Sequence, residues 1–233
     1  MALDRVAGVG VILLGGGMLG SAVVGGWLMD VLPDTTVWVI EPNPSDWLIG
    51  CGTRLNEGLP AEAAVALLAV KPQMMGAALP ALQALGNGTT LFVSIAAGTT
   101  IASFEAALGA DTPIVRTMPN TPAMVGRGIT ALCRNSRVSD AHMGLAQELM
   151  AAVGEVVDLD READVMFQDR EIIGKVTMGI VERLAAEQQD SSQLLERLGS
   201  LQGSSEDVQR KAGDALAQFL GPHEEWDVLA LCS

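Results

Sequence analysis

The chain has 233 residues, of which 49% are hydrophobic, and its formal net charge is −14. A chain of this length and hydrophobicity can bury a core, which excludes a disordered protein. The excess of acidic over basic residues argues against nucleic-acid binding, because an acidic surface repels phosphate backbones. No apolar run approaches the roughly 18 residues that a membrane span needs.

The cysteines, Cys51, Cys133 and Cys232, are odd in number and contain no C-x-x-C pair. This usage predicts neither a disulfide framework nor a zinc site, and it favours a reducing compartment. The apolar stretch at residues 9–14 is too short for a secretory signal and runs directly into glycines. We therefore expect a cytoplasmic protein with no bound metal.

Short apolar runs alternate with helical patterns before residue 160. Runs without polar positions are typical of strands buried on both faces of a parallel sheet. They are predicted at residues 8–14, 36–40, 64–70, 90–95 and 113–117, with helices at 18–31 and 74–85 among those between them. A strand at 129–133, a helix from the N-cap Ser139 to residue 152 and an edge strand at 155–159 are predicted to follow. This order predicts an α/β fold with a doubly wound parallel sheet.

The composition changes near residue 160, where charged residues become denser and glycine rarer. Apolar residues then recur at three- and four-residue spacing within 172–184, 194–201 and 208–220. The sequence therefore predicts one domain over residues 1–160 and a small all-helical region over residues 161–233, with the boundary near 160–164.

The sequence GGGMLG follows the first predicted strand and opens the first predicted helix, which is the context that a G-x-G-x-x-G dinucleotide motif requires. Gly15 permits a tight turn, Gly17 lets a pyrophosphate approach the backbone, and Gly20 lets the helix pack closely on its strand. The helical N–H groups from Met18 and Leu19 onward would face the phosphates. The motif predicts a Rossmann-type nucleotide site. Flavin and S-adenosylmethionine enzymes share this loop, and a plain glycine-rich turn is the other alternative.

The second predicted strand ends at Glu41, about 20 residues beyond the glycine loop, where dinucleotide-binding folds place an acid on the ribose 2′-hydroxyl. Such an acid favours NAD and repels the 2′-phosphate of NADP. Asn43 and Ser45 follow, and they could hold a 2′-phosphate if Glu41 turned away. These residues favour NAD as the cofactor. Two alternatives stay open: NADP as the cofactor, and a solvated Glu41 that has no part in binding.

Four segments resemble the pyrroline-5-carboxylate reductase family in sequence, order and spacing. They are the glycine loop, AVKPQ at 69–73, VSIAAG at 93–98 and VRTMPNTPA at 115–123, and the similarity continues through 125–132. The resemblance covers roughly residues 8–160. It implies an oxidoreductase of proline biosynthesis that transfers a hydride from the nicotinamide of NADP or NAD to the C=N carbon of 1-pyrroline-5-carboxylate. Most members of the family favour NADPH.

The resemblance also implies where the cofactor lies. Two loops are expected beside the ribose and nicotinamide: Ala69, Val70, Lys71 and Pro72 in the first, and Met118, Pro119 and Asn120 in the second. Ser94 and Gly98 match positions that shape the floor of that site.

Few acid–base candidates are available. Lys71 is interpreted equally as a cofactor-positioning group and as a solvated lysine before a helix. Arg116 could meet a phosphate or a substrate carboxylate, but a structural ion pair is favoured. The chain has no Tyr, and neither of its two histidines, His142 and His223, is expected to be catalytic. The catalytic residues are therefore unassigned.

Members of the family continue with a helical domain that dimerises and completes the substrate site, so a homodimer or larger homo-oligomer is expected. Two hallmark segments of that domain, Ser-Gly-Ser-Gly-Pro-Ala and Pro-Gly-Gly-Thr-Thr, do not occur after residue 160. Three interpretations stay open: a diverged domain with the same role, a replacement that leaves a cofactor-binding or regulatory protein, and an altered reading frame. An oxidoreductase acting on another imine or keto acid is a further alternative.

Overall fold

The computed structural model describes residues 6, 8–120, 123 and 126–165. The chain divides into two units, Met1–Met166 and Phe167–Ser233, and every described residue belongs to the first. The predicted all-helical region lies outside the described residues, apart from residues 161–165. The assignment of residues 161–233 to a separate domain therefore stays a prediction.

Eight strands occur in the described part of the chain and form one sheet in the order β3-β2-β1-β4-β5-β6-β7-β8. Their bounds are β1 Val11–Leu14, β2 Val37–Ile40, β3 Arg54–Leu55, β4 Val65–Leu68, β5 Leu91–Ser94, β6 Ile114–Pro119, β7 Gly128–Arg134 and β8 Gly154–Asp158. The strands from β3 to β6 are parallel and have the 3-2-1-4-5-6 order of a Rossmann fold. The predicted Rossmann-type α/β fold is confirmed.

Helices cover both faces of this sheet. Their bounds are α1 Met18–Asp30, α2 Asp46–Gly50, α3 Pro72–Ala78, α4 Ile101–Leu108, α5 Asp140–Ala151 and α6 Glu162–Val165, with short 3-10 helices at Asp34–Thr36 and Leu79–Leu85. The predicted cap of α5 is confirmed, because the hydroxyl of Ser139 accepts the N–H of His142 at 3.2 Å.

The central strands are apolar along their whole length because each face is packed. Every residue of β1 and β4 is buried. Leu13 and Leu67 pack into the same core cluster as α1 and α5, whereas Ile12 and Leu68 pack into the cluster that contains α4 and α6. This two-sided burial explains why the strand runs carry no polar alternation.

The structure differs from the sequence-based expectation in three places. The sheet is not wholly parallel, because β7 runs antiparallel to β6 and β8 follows the direction of β7. The helix expected at 74–85 is α3 followed by a 3-10 helix from Leu79, a change that coincides with Pro80, which has no N–H to donate. The sequence does not predict β3, since two residues are too few to show a periodicity.

Helices α1 and α5 meet closely on one face of the sheet. The buried Trp27 donates its indole N–H to the carbonyl of Leu149 at 2.9 Å. One turn of α1 touches the end of α5, because a Cβ added to Gly26 would stand 2.7 Å from the carbonyl oxygen of Ala152. The neighbouring Gly25 has more room, since its added Cβ would meet only the ring of Trp47, at 3.5 Å. Two adjacent glycines of one helix thus have opposite packing requirements.

We expect Gly26→Ala to lower the free energy of unfolding by about 1–3 kcal/mol, because the new methyl group forces α1 and α5 apart. Gly25→Ala is the matched control and should raise it by up to about 1 kcal/mol, since alanine suits a helix interior better than glycine. Urea unfolding of the full chain, followed by circular dichroism, measures both. Equal effects of the two substitutions would contradict this account of the contact.

Candidate dinucleotide-binding site

The glycine loop lies at the carboxyl edge of the parallel strands, between β1 and α1. Gly15 has φ +100°, a conformation that favours glycine, and its added Cβ would stand 2.7 Å from the backbone nitrogen of Val70. An added Cβ on Gly20 would collide with the carbonyl oxygen of Gly15 and stand 3.2 Å from the Cβ of Ala69. The absent side chains therefore let the turn and the start of α1 press against the end of β4.

Gly17 differs from these two glycines because it faces open space. It is exposed, its φ is an ordinary −64°, and an added Cβ would meet no atom within 4 Å. It is also the N-cap of α1, and neither a capping side chain nor an acidic residue occupies the first turn. The N–H groups at the start of α1, including those of Met18 and Leu19, have no partner within the helix. This open helix end suits a phosphate group.

Glu41 follows β2 and folds its side chain onto the glycine loop. One carboxylate oxygen accepts the backbone N–H of Gly16 at 2.7 Å, and the other accepts the backbone N–H of Asn43 at 2.9 Å. The backbone of Glu41 is fixed as well, since the side chain of Asn56 accepts its N–H at 3.0 Å and donates to its carbonyl at 2.8 Å. The acid is thus held at the end of β2.

The two polar residues that follow Glu41 have structural roles of their own. The hydroxyl of Ser45 caps α2 by accepting the N–H of Leu48 at 3.3 Å. Asn43 is exposed, and its backbone N–H is the one that Glu41 binds. For Asn43 and Ser45 to bind a 2′-phosphate, the carboxylate of Glu41 would have to move away, and both of its hydrogen bonds would break.

The loop after β4 lies next to the glycine loop. Ala69 donates its backbone N–H to the carbonyl of Leu14 at 2.8 Å, which joins the ends of β1 and β4. Ala69 and Val70 are partly buried, whereas Lys71 and Pro72 are exposed. Lys71 is the N-cap of α3 and Pro72 its first residue, a position that suits proline because its missing N–H has no partner there. Lys71 is thus an exposed base at the carboxyl edge of β4.

The loop after β6 is tied to β7. The side-chain oxygen of Asn120 accepts the N–H of Ile129 at 2.8 Å, and the Asn120 N–H donates to the carbonyl of Ile129 at 3.2 Å. Pro119 is buried and Met118 is partly buried in the described structure. Asn120 therefore has a structural role in fixing the strand end where the nicotinamide is expected.

The end of β5 lies beside this loop. Ser94 is fully buried, and its hydroxyl accepts the N–H of Ala96 at 3.2 Å. The hydroxyl of Thr117 on β6 donates to the carbonyl of Ser94 at 3.0 Å, which links the two strand ends. Gly98 is exposed with φ +74°, and an added Cβ would meet no atom within 4 Å. The end of β5 thus combines a fixed buried serine with an open turn.

Arg116 forms the structural ion pair that the sequence favours. Its side chain is 0% exposed, and its Nη1 lies 2.9 Å from Oε1 of Glu162. The same oxygen accepts the backbone N–H of Ile101, at the start of α4. Glu162 therefore joins α4, α6 and the sheet. Sequence reasoning misses this residue, because no local pattern relates positions 46 residues apart.

His142 does not lie at the candidate site. The antiparallel β7 leads the chain to the opposite edge of the sheet, and α5, which carries His142, begins there. His223 lies outside the described residues. In the part of the chain that the structure describes, no cluster of three or more His, Cys, Asp or Glu side chains could hold a metal ion. No helix among the described residues is long and apolar enough to cross a membrane.

The sequence is related to known reductases. A pyrroline-5-carboxylate reductase of Pseudomonas aeruginosa is 35% identical over 171 residues, which cover 71% of this chain and 61% of the relative. That of Haemophilus influenzae is 34% identical over 160 residues, covering 66% of this chain and 59% of the relative. Over the matched part, this chain is homologous to pyrroline-5-carboxylate reductases. It spans about three fifths of the length of these relatives. No protein-family profile matches the chain.

Solved structures agree on the fold. A pyrroline-5-carboxylate reductase from Coxiella burnetii superposes with a TM-score of 0.64 at 24% identity, covering 95% of this chain and 88% of that one. The Plasmodium falciparum pyrroline carboxylate reductase, solved with NADP bound, gives a TM-score of 0.61 at 18% identity and covers 88% of this chain and 84% of its own. At these identities the superpositions establish the fold alone.

We expect Glu162→Ala to lower the free energy of unfolding by about 1–3 kcal/mol, because it removes a partner from a fully buried guanidinium and from the start of α4. Asp111→Ala is the matched control. Asp111 lies at the same 2.9 Å from Arg137, but both side chains are more than half exposed, so its loss should cost less than about 1 kcal/mol. Thermal unfolding of both variants checks this difference. A control variant as unstable as Glu162→Ala would show that burial is not what distinguishes the two pairs.

Proposed function

We propose that this protein reduces 1-pyrroline-5-carboxylate to L-proline with NADPH or NADH. The observation that carries the proposal is that the segments resembling the reductase family follow four neighbouring strands, β1, β4, β5 and β6, and so share one edge of the sheet. In open α/β folds, ligands bind in the crevice at that edge. The 35% identity to a curated reductase supports the same activity.

The residues at this edge fit a dinucleotide. The exposed N-terminus of α1 and the open face of Gly17 would hold the pyrophosphate, and Glu41 would meet the adenosine ribose. The loops Ala69–Pro72 and Met118–Asn120 would flank the nicotinamide half. The bound nicotinamide supplies the hydride, which goes to the carbon of the C=N bond while a proton goes to its nitrogen.

The protein's part in this reaction is mainly orientation. Hydride transfer requires the donor carbon and the imine carbon to be held in contact, and a fixed geometry lowers the barrier more than a strong base would. The described edge has such fixed geometry, because Asn120 binds β7 and Thr117 binds the carbonyl of Ser94. We assign no proton donor.

Assembly and location are part of the proposal. A homodimer or larger homo-oligomer would supply the substrate site with a second chain, as the resemblance implies, and size-exclusion chromatography with light scattering measures this. A cytoplasmic location is supported by the cysteine usage, because an odd number of cysteines without a C-x-x-C pair favours a reducing compartment.

The proposed activity predicts oxidation of NADH or NADPH that depends on added 1-pyrroline-5-carboxylate. The loss of nicotinamide absorbance measures the rate, and chromatography identifies proline as the product. A folded sample that binds a nicotinamide cofactor but oxidises none with the imine would contradict the reductase and favour a binding or regulatory protein. The missing Ser-Gly-Ser-Gly-Pro-Ala segment is the observation behind that second candidate.

The open face of Gly17 gives a second prediction. Gly17→Ala should weaken cofactor binding at least about tenfold, because the new methyl group would occupy the space where the pyrophosphate approaches. Stability should fall by no more than about 1 kcal/mol, since the methyl group meets no protein atom. Gly144→Ala on α5, which also has open space around its added Cβ, serves as the control and should bind the cofactor normally. Nicotinamide fluorescence titration measures both. Normal cofactor binding by Gly17→Ala would place the pyrophosphate elsewhere.

A further inference from the structure

We propose that Glu41 makes this protein prefer NADH to NADPH. The inference rests on the proposed function, because it concerns the same site, and it narrows the cofactor to one of two. It departs from the NADPH preference of most reductases that the sequence resembles. Three features of Glu41 support this preference: its position at the end of β2, the contacts that fix its side chain, and the charges around it.

Glu41 lies where a dinucleotide's adenosine ribose is bound. It directly follows β2, the neighbour of the central strand β1, and its carboxylate binds the N–H of Gly16 within the glycine loop. In folds with this strand order, the acid at the end of β2 accepts hydrogen bonds from the ribose 2′-hydroxyl. NADPH carries a phosphate at that position, so its 2′-phosphate would be brought beside a carboxylate.

The carboxylate is poorly placed to move aside. Both of its oxygens accept backbone N–H groups, at 2.7 Å and 2.9 Å, and Asn56 fixes the main chain of the residue. Its Cβ and Cγ pack on the loop, since an added Cβ on Gly16 would stand 3.1 Å from each of them. A displacement of the side chain away from a 2′-phosphate would break contacts on both of its sides.

Neither Arg54 nor Lys71 forms an ion pair with Glu41 in the described structure. Arg54 is the nearest base in sequence, but it pairs with Trp38 near the start of β2, and its Nε donates to the carbonyl of Thr35 at 2.9 Å. Its guanidinium lies over the ring of Trp38, 4.9 Å from the centroid, away from the carboxyl edge. Lys71 follows β4, which is two strands from β2. The axes of these two strands are therefore about 10 Å apart.

The next charged residue along the chain after Glu41 is also negative. Asp46 is exposed at the start of α2. Asp46 has no hydrogen bond or ion pair to the glycine loop in the described structure, so the carboxylate that a 2′-phosphate at the end of β2 would meet is that of Glu41. A carboxylate held beside a 2′-phosphate would disfavour NADPH binding by about one to two powers of ten at the effective dielectric constants of protein surfaces.

The experiment measures dissociation constants for NADH and NADPH by nicotinamide fluorescence, using the full chain and two variants. Glu41→Gln keeps the shape of the side chain and one hydrogen-bond acceptor but removes its charge. Asp46→Asn removes a neighbouring charge that makes no contact with the glycine loop. Circular dichroism confirms that each variant is folded. Turnover with 1-pyrroline-5-carboxylate is recorded separately, so that cofactor preference and activity are tested independently.

We expect the unaltered protein to bind NADH at least about tenfold more tightly than NADPH. Glu41→Gln should tighten NADPH binding about tenfold while it weakens NADH binding, and Asp46→Asn should leave the ratio within about twofold. Opposite changes for the two cofactors are the signature of a specificity residue. If Glu41 only supported the loop, the substitution would weaken both cofactors alike.

Three results would overturn the inference. The first is NADPH binding as tight as NADH binding in the unaltered protein, and the second is an equal loss of both cofactors in Glu41→Gln. The third is a folded protein that binds neither cofactor, which would also remove the proposed function. A protein that prefers NADH but does not reduce the imine would support this inference and remove only the reductase.

Discussion

The close approach of the glycine loop to the end of β4 is the constraint on which the candidate site depends. There is no space for a side chain at Gly15 or Gly20. A Cβ at Gly15 would meet the backbone of Ala69, and one at Gly20 would meet the carbonyl of Gly15. Because of this contact, α1 starts at the middle of the sheet with its N–H groups directed outward. A bulkier residue at either glycine would move the helix end, and the position where a phosphate could bind would move with it.

Fixed strand ends extend this organisation along the edge of the sheet. Each strand end that borders the candidate site is tied to a neighbour: β1 to β4 through Ala69, β5 to β6 through Thr117, and β6 to β7 through Asn120. These bonds use side chains and backbone groups that the sequence resemblance associates with the cofactor. The same residues can therefore stabilise the fold and shape the site, which explains why motif recognition alone does not separate the two roles.

Much of this architecture could be predicted from the sequence. The apolar runs and the GGGMLG loop predict the strands around β1 and the start of α1, because two-sided burial and tight turns leave local signals. The sequence alone does not decide the roles of Glu41 and Arg116, since the partner of each is set by packing. Glu41 binds Gly16, 25 residues earlier, and Arg116 binds Glu162. Neither Asn56 nor Glu162 could be found from a local pattern, because their partners lie on other elements. The reversal of direction at β7 also leaves no signal in the residues of the strand itself.

The pairing of Arg116 with Glu162 has a consequence for the order in which the fold is completed during synthesis. The strands from β4 onward are neighbours in the sheet in the same order as in the chain, so β6 can pair with β5 once residue 119 has been synthesised. The carboxylate that pairs with Arg116 follows 46 residues later. A nascent chain that ends before Glu162 therefore carries a guanidinium in its sheet without this counter-ion, and α4 begins without the carboxylate that binds Ile101. The short helix α6 thus brings the carboxylate of Glu162 to Arg116 after the residues of all eight described strands have been synthesised.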